Sequence, residues 1–301
     1  MSNKKTLTTK EVAKLFCVSD ATVKRWTEAG LLRSERTKGG HRRFRIEDVA
    51  KFQIETGLGL KRCQGDETPL SLTRYRKGLI RTSGEPSFLK ALLAGCEEEA
   101  GSFLIKAYLN GNSLAEIFDQ IISPAMRRIG ELWFEGKINV AQEHLATRVV
   151  YSSLFRLRSA MPVVEQKARL AFCCSFEGDF HELPTYLSQM IFESHGWEVM
   201  NFGSNTPVYS LAEETLVHSP EVICIASTVM EDYDRLARDY SHFRSRISRL
   251  KIPVILGGRM FQDERVRSRF PAEYYPSSFS ELSRFIEDFD RLRATNFVNS
   301  F

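Results

Sequence analysis

The stretch Ala168-Arg-Leu-Ala-Phe-Cys-Cys-Ser175 is an apolar run that stops a few residues short of Asp179-Phe180-His181. Three more apolar runs follow, Trp197–Phe202, Glu221–Ser227 and Ile252–Leu256. Amphipathic stretches at 184–195, 208–218 and 231–249 separate them, and a last helix covers 279–294. Short apolar strands alternating with helices predict a parallel, doubly wound α/β sheet with right-handed crossovers. Ligands of such sheets bind beyond the carboxyl ends of the strands. His181 follows the first strand, Ser227 ends the third and Gly257-Gly258 follow the fourth, so all three converge on one edge. That edge offers one imidazole and two small-residue backbones to a large, flat, partly buried ligand. The chain lacks a GxGxxG phosphate fingerprint, which argues against a nicotinamide or flavin dinucleotide.

The α/β region is only part of a 301-residue chain, and that length predicts two or three domains. A hydrophobic content of 43% and a charged content of 27% are those of a globular protein. No apolar run approaches a membrane span, and Met1-Ser2-Asn3-Lys4-Lys5 leads into no apolar signal core, so a cytoplasmic location without membrane partners is expected. The cysteines, Cys17, Cys63, Cys96, Cys173, Cys174 and Cys224, form no C-x-x-C pair, and the last three lie in strand-like runs as small hydrophobes. Charge is unevenly spread. Residues 1–64 hold 15 Lys/Arg against seven Asp/Glu, so a head of +8 sits on a body of −4. A basic head on an acidic body suits a nucleic-acid-binding module joined to a sensor.

The head carries the corresponding motif. Thr8 with Glu11 forms a capping box ahead of an apolar face of Val12, Leu15 and Phe16. Ser19 caps a second helix, Asp20 to Glu28, stopped near Gly30. Two short helices joined by a tight turn make a helix-turn-helix, whose second helix enters the major groove. Its outward residues are Asp20, Thr22, Lys24 and Arg25, while Val23 and Trp26 hold the core. Gly39-Gly40 between strand-like runs predicts a hairpin wing projecting Lys38, His41, Arg42, Arg43 and Arg45 toward phosphates. Another helix starts at Ile46.

Residues 57–85 mix Gly, Pro, Ser and charge with little periodicity and predict a linker. From Pro86 to Ala160 helical periodicity returns. Phe88, Leu89, Leu92 and Leu93 begin it, and Phe103, Leu104, Ala107 and Tyr108 continue it. Ser113 caps a helix that Pro124 is expected to kink and that runs to Trp133, and Asn139 with Gln142 caps a fourth. Short connections predict an antiparallel four-helix bundle. The expected layout is therefore 1–65 winged helix-turn-helix, 66–85 linker, 86–162 four-helix-bundle cap and 163–301 Rossmann-like domain.

Three resemblances carry function. "LTTKEVAKLFCVSDATVKRWTEAGLL" with "GGHRRFRIEDV" resembles the winged helix-turn-helix of MerR-family regulators, a module also found in phage excisionases. It implies a double-stranded DNA operator and a dimer or tetramer, because one small reading head gives limited specificity. Residues 177–258 resemble the cobalamin-binding module of methionine synthase and related mutases, with its D/E-x-H-x-x-G, S-x-L and Gly-Gly elements; Asn205-Thr206 lie in a stretch that fits as well. The resemblance implies that His181 is the lower axial cobalt ligand and that Asp179 orients it. Ser227 would hydrogen-bond the displaced nucleotide tail, and Gly257 and Gly258 would leave room for it. Glu182, Val229, Asn205 and Thr206 complete the implied lining. Pro184 stands where the motif has Gly, and Val229 where it has Leu.

Trp133, nine intervening residues and then Glu143-His144 are similar to the signature of the CarH/LitR group of adenosylcobalamin-dependent, light-responsive repressors. This resemblance implies a cap that encloses the adenosyl group, and a DNA-binding tetramer that light dissociates. In the best-described member a His follows the Trp and captures cobalt after photolysis. Here that residue is Phe134, whose ring cannot ligate a metal, so water or His144 would have to take the position. The expected function is a cobalamin-dependent DNA-binding regulator, not an enzyme. A light-independent cobalamin sensor and a corrinoid-carrying methyltransferase subunit are the alternatives.

Overall fold

The structure, a computed structural model, describes residues 6–16, 18–56, 87–162, 164, 168–230 and 232–298. The expected linker at 66–85 lies outside the described residues, as do Cys17 and Cys63. The chain forms two compact units that divide between Val163 and Val164.

The first unit begins with strand β1 (Thr6–Thr8), helices α1 (Thr9–Leu15) and α2 (Asp20–Glu28), strands β2 (Glu35–Arg36) and β3 (Arg42–Arg45), and α3 (Ile46–Thr56). Both predicted caps form. Thr8 Oγ1 accepts from the Glu11 amide at 3.3 Å while Glu11 Oε2 accepts from the Thr8 amide at 2.7 Å, and Ser19 Oγ accepts from the Thr22 amide at 3.2 Å. The wing has a third strand that the sequence reading passed over. β1 pairs antiparallel with β3, setting Leu7 beside Phe44, and both are buried. Val12, Val23 and Val49 complete a small core. Trp26 is only partly buried, its ring packed against Phe16 and Phe52 with centroids 5.6 and 4.9 Å away.

The same unit continues as four helical segments: α4 (Ser87–Leu93), α5 (Glu97–Leu109), α6 (Leu114–Ile117) running through a π turn at Phe118–Ile122 into α7 (Ser123–Phe134), and α8 (Val140–Ser159). Pro124 does not break this third segment. In the π turn the Ser123 amide donates to the Phe118 carbonyl. The turn leaves Pro124 at the start of α7, where a missing N–H costs nothing. Ser113 with Glu116, and Asn139 with Gln142, form reciprocal capping boxes. Arg156 of α8 reaches Glu47 of α3 at 3.0 Å, tying the bundle to the head. Beside that pair a groove of about 650 Å³ is lined by Glu47, Glu97, Arg148, Tyr151 and Phe155, all in this unit.

The second unit is a four-stranded parallel sheet of β4 (Leu170–Phe176), β5 (Glu198–Thr206), β6 (Val222–Ala226) and β7 (Val254–Gly257), in the order β5-β4-β6-β7. Helices α9 (Leu183–Ser194), α10 (Val208–His218) and α11 (Tyr233–Ile247) connect the strands; a short α12 (Glu264–Arg267) and α13 (Phe279–Val298) follow. β4 and β6 are buried on both faces, as a doubly wound sheet requires. Phe172, Phe176, Tyr240, Phe243, Phe261 and Phe270 dominate the core on one face. Cys173 and Cys224 face each other across β4 and β6, and burial raises the Cys173 and Cys174 thiol pKa values, so these act as core hydrophobes. No described helix is long and apolar enough to cross a membrane.

Candidate functional site

β4 delivers the chain to the loop at 177–182, and the strands on either side of β4 hold that loop in place. On the β5 side Asn205, in the left-handed region at φ +54°, donates its amide to the Asp179 carbonyl at 2.8 Å. Its side-chain Oδ1 accepts from the Gly178 amide at 2.9 Å. On the β6 side the Asp179 carboxylate, 1% exposed, does the work. Oδ2 accepts from the Thr228 amide at 2.5 Å, the Ser227 hydroxyl at 3.3 Å and the Val229 amide at 3.4 Å. Oδ1 accepts from the His181 amide at 3.0 Å and lies 2.8 Å from His181 Nδ1.

Burial alone would raise the Asp179 pKa. The hydrogen bonds from the His181 ring and the Thr228 and His181 amides, with the His181 charge, outweigh it and hold the carboxyl below its ordinary value. An ionised carboxylate only accepts, so Nδ1 carries the proton of this bond. The imidazole is 55% exposed. Asp179 therefore fixes both the tautomer and the direction of a surface imidazole, which is the arrangement seen behind metal-ligating histidines.

The remaining expected residues divide. Ser227 is fully buried, and its hydroxyl lies 3.3 Å from Asp179 Oδ2 and 3.2 Å from the Val229 carbonyl, so it braces the site from within. Gly258 makes no room for a nucleotide tail at its missing side chain. At φ +98° a β carbon there would run into the Ser227 backbone, 2.9 Å from both its carbonyl carbon and its amide nitrogen. A β carbon on Gly257 would meet only Pro276, at an ordinary 3.6 Å. Glu182 precedes α9 without a side-chain capping bond and is exposed, and Val229 is 42% exposed. Thr206 Oγ1 turns back to the Phe202 and Gly203 carbonyls at 3.4 Å. Pro184 fits the first turn of α9 without strain. The sequence reading missed Phe180, 73% exposed between Asp179 and His181, and the Thr228 amide, whose bond to Asp179 spans 49 residues.

In the bundle, Trp133 and Phe134 end α7 with exposures of 49% and 87%. Gly136, at φ +68°, turns the chain toward α8. Glu143 and His144 occupy the first turns of α8. Glu143 Oε1 accepts from Thr147 Oγ1 at 3.0 Å, and its Oε2 lies 3.6 Å from His144 Nε2. The motif residues thus gather at one end of the bundle.

In the head, Lys24 and Arg25 are exposed on α2, with Thr22 partly buried beside them. Lys38 and His41 are exposed at the hairpin tip, and Asp20 and Arg43 are partly buried. Arg42 and Arg45 are ion-paired inside the domain. Arg42 reaches Glu28 at the end of α2 at 2.8 Å, and Arg45 crosses the hairpin to Glu35 at 3.0 Å. Arg42 thereby links the wing to the recognition helix.

Comparison with known proteins matches two segments, both within the first unit. Residues 6–55 match the helix-turn-helix domain family and residues 86–158 match the B12 binding domain family. The chain is 22% identical over 282 residues to the HTH-type transcriptional repressor CarH of Myxococcus xanthus, covering 88% of this chain and 90% of that one. It is 20% identical to dimethylamine corrinoid protein 1 of Methanosarcina mazei over 56% of this chain and 80% of the relative. The solved monomethylamine corrinoid protein of Methanosarcina barkeri superposes with a TM-score of 0.54 at 16% identity, covering 67% of this chain and 96% of that one. That likeness is one of fold.

Proposed function

We propose that this CarH-like chain is a cobalamin-dependent transcriptional regulator that binds DNA through its head and a corrinoid through His181. The observation that carries the reading is the Asp179–His181 contact of 2.8 Å through Nδ1, which supports Nε2 as the nitrogen that would meet cobalt. His181 would hold the cobalt, Asp179 would set the orientation and basicity of that imidazole, and Asn205 and Ser227 would brace the loop. Among the described residues no three His, Cys, Asp or Glu side chains form a metal cage. A corrin brings its own ring nitrogens, so a single protein imidazole suits it. Trp133, Phe134, Glu143 and His144 are the bundle residues that would act on the bound cofactor.

Adenosylcobalamin is the form we infer, and when bound it supplies a light-labile cobalt–carbon bond. The protein's part would be to pack against the bound group with Trp133 and Phe134, so that occupancy of the site biases assembly and DNA binding. The chain would then be a light-responsive repressor acting as a homo-oligomer on a double-stranded operator. A DNA-binding head has no use in a corrinoid carrier of the methyltransferase kind, which is why regulation is favoured over that alternative. The test is to load the protein with adenosylcobalamin and record its visible spectrum and elution volume before and after illumination, alongside His181→Ala. Uptake that needs His181, with spectrum and size both changing in light, supports the reading. Uptake without a light response leaves a cobalamin sensor, and equal uptake by His181→Ala removes the axial role.

A further inference from the structure

Charge is sharply segregated within the second unit. Residues 168–234 hold one Arg or Lys against eleven Asp or Glu, whereas residues 235–269 hold ten against three. The basic segment centres on α11. At about 100° per residue, positions 238, 242 and 246 fall within about 80° of one another on the helix, and Arg249 follows in the 3-10 turn Ser248–Leu250. Leu236, Tyr240, Phe243 and Ile247 lie on the other side and are buried in the core. Arg238, His242, Arg246 and Arg249 are exposed, and Lys251 follows them at the helix end.

The available carboxylates are used elsewhere. Arg235 pairs with Glu177 at 2.9 Å, Arg244 with Glu273 and Arg269 with Asp234 at 2.5 Å each. No ion pair among the described residues involves Arg238, Arg246, Arg249 or Lys251. Such like charges repel, and nothing in the packing requires them. From 238 to 246 the row spans about 12 Å along the axis, the length of roughly three to four phosphate steps of one duplex strand.

We propose that the outer face of α11 is a second, sequence-independent contact to the DNA backbone. The proposal rests on the reading of the chain as a DNA-binding protein. A row of guanidinium groups complements a phosphate row in sign and in shape, and along α11 itself it is free of exposed large apolar side chains. The head would read the operator while α11 adds affinity and salt sensitivity without choosing sequence.

The experiment measures binding of the full-length protein to a mixed-sequence DNA duplex across a salt series. It compares wild type with the triple variant Arg238→Gln, Arg246→Gln, Arg249→Gln, with the same three positions changed to Lys, and with the head variant Lys24→Gln. The Gln variant is expected to bind more weakly, with a slope of log affinity against log salt shallower by about 2 to 3 units. The Lys variant should stay close to wild type, and melting temperatures should be equal throughout. An unchanged slope in the Gln variant, with Lys24→Gln weakened, would overturn the α11 contact and leave the head's role intact. Wild type that binds no DNA at any salt would overturn both. A Gln variant with normal DNA binding but altered elution volume would identify the face as an interface between copies, and this too overturns the proposal.

Discussion

Gly258 approaches Ser227 so closely that the residue after β7 has no space for a side chain. Its φ of +98° belongs to glycine, and a β carbon would lie 2.9 Å from the Ser227 amide nitrogen. Gly258→Ala must therefore shift backbone at the ligand edge of the sheet. A loss of at least about 2 kcal/mol is expected, read as a lower urea midpoint, with cobalamin uptake falling in parallel. Gly257→Ala, with only Pro276 at van der Waals distance, should cost much less.

Asp179→Asn keeps the shape of the side chain and loses its charge. The amide can no longer accept from both His181 and the backbone of residues 228 and 229, so one buried donor is left opposing another. Metal affinity should fall about 10–100-fold, measured by spectrophotometric titration with cobalamin.

The same carboxyl gives a pH dependence of known sign. Its pKa is lowered on folding, so the unfolded chain binds the proton more tightly. Its contribution to stability is complete well above the ordinary value of 3.8 and is lost as pH falls below it. The difference in unfolding free energy between wild type and Asp179→Asn should shrink as pH falls below about 4. A difference that persists well below the ordinary value of 3.8 would contradict the charged assignment.

Arg42 and Lys38 should separate fold from contact. Arg42→Ala removes the partner of Glu28 and is expected to lower both stability and DNA affinity, with a coupling to Glu28→Ala of about 0.5–1 kcal/mol in a double-mutant cycle. Lys38→Ala, at the exposed hairpin tip, should weaken DNA binding with melting unchanged.

Phe134 is 87% exposed, so Phe134→Ala should alter the stability of the cofactor-free protein by no more than about 0.5 kcal/mol. An effect on adenosylcobalamin retention or on the illuminated spectrum would then report the cofactor. Under the proposed function the illuminated wild type shows no second imidazole from position 134, and His144→Ala distinguishes water from His144 at that coordination position.

Local signals read well from the sequence. Thr8 with Glu11, Ser113 with Glu116 and Asn139 with Gln142 are contacts over three residues, and each helix starts where its capping pair says it should. The sheet follows from alternation, and the edge carrying His181, Ser227 and Gly257 follows from the strand ends. Long-range terms did not read. Asp179 binds the amides of Thr228 and Val229 about fifty residues on, Arg42 is held by Glu28, and Gly258 answers the Ser227 backbone in place of a ligand. Nothing in composition or periodicity marks a three-residue strand such as β1, which exists because Leu7 has Phe44 to lie against.

The wide turn at Phe118–Ile122 acts as a one-residue insertion in an otherwise regular coil. It advances every later position by roughly a quarter-turn, so the bearing of Trp133 and Phe134 is dialled in more than ten residues upstream. Shortening that turn by one residue would swing both rings round the axis while leaving the helix itself in place.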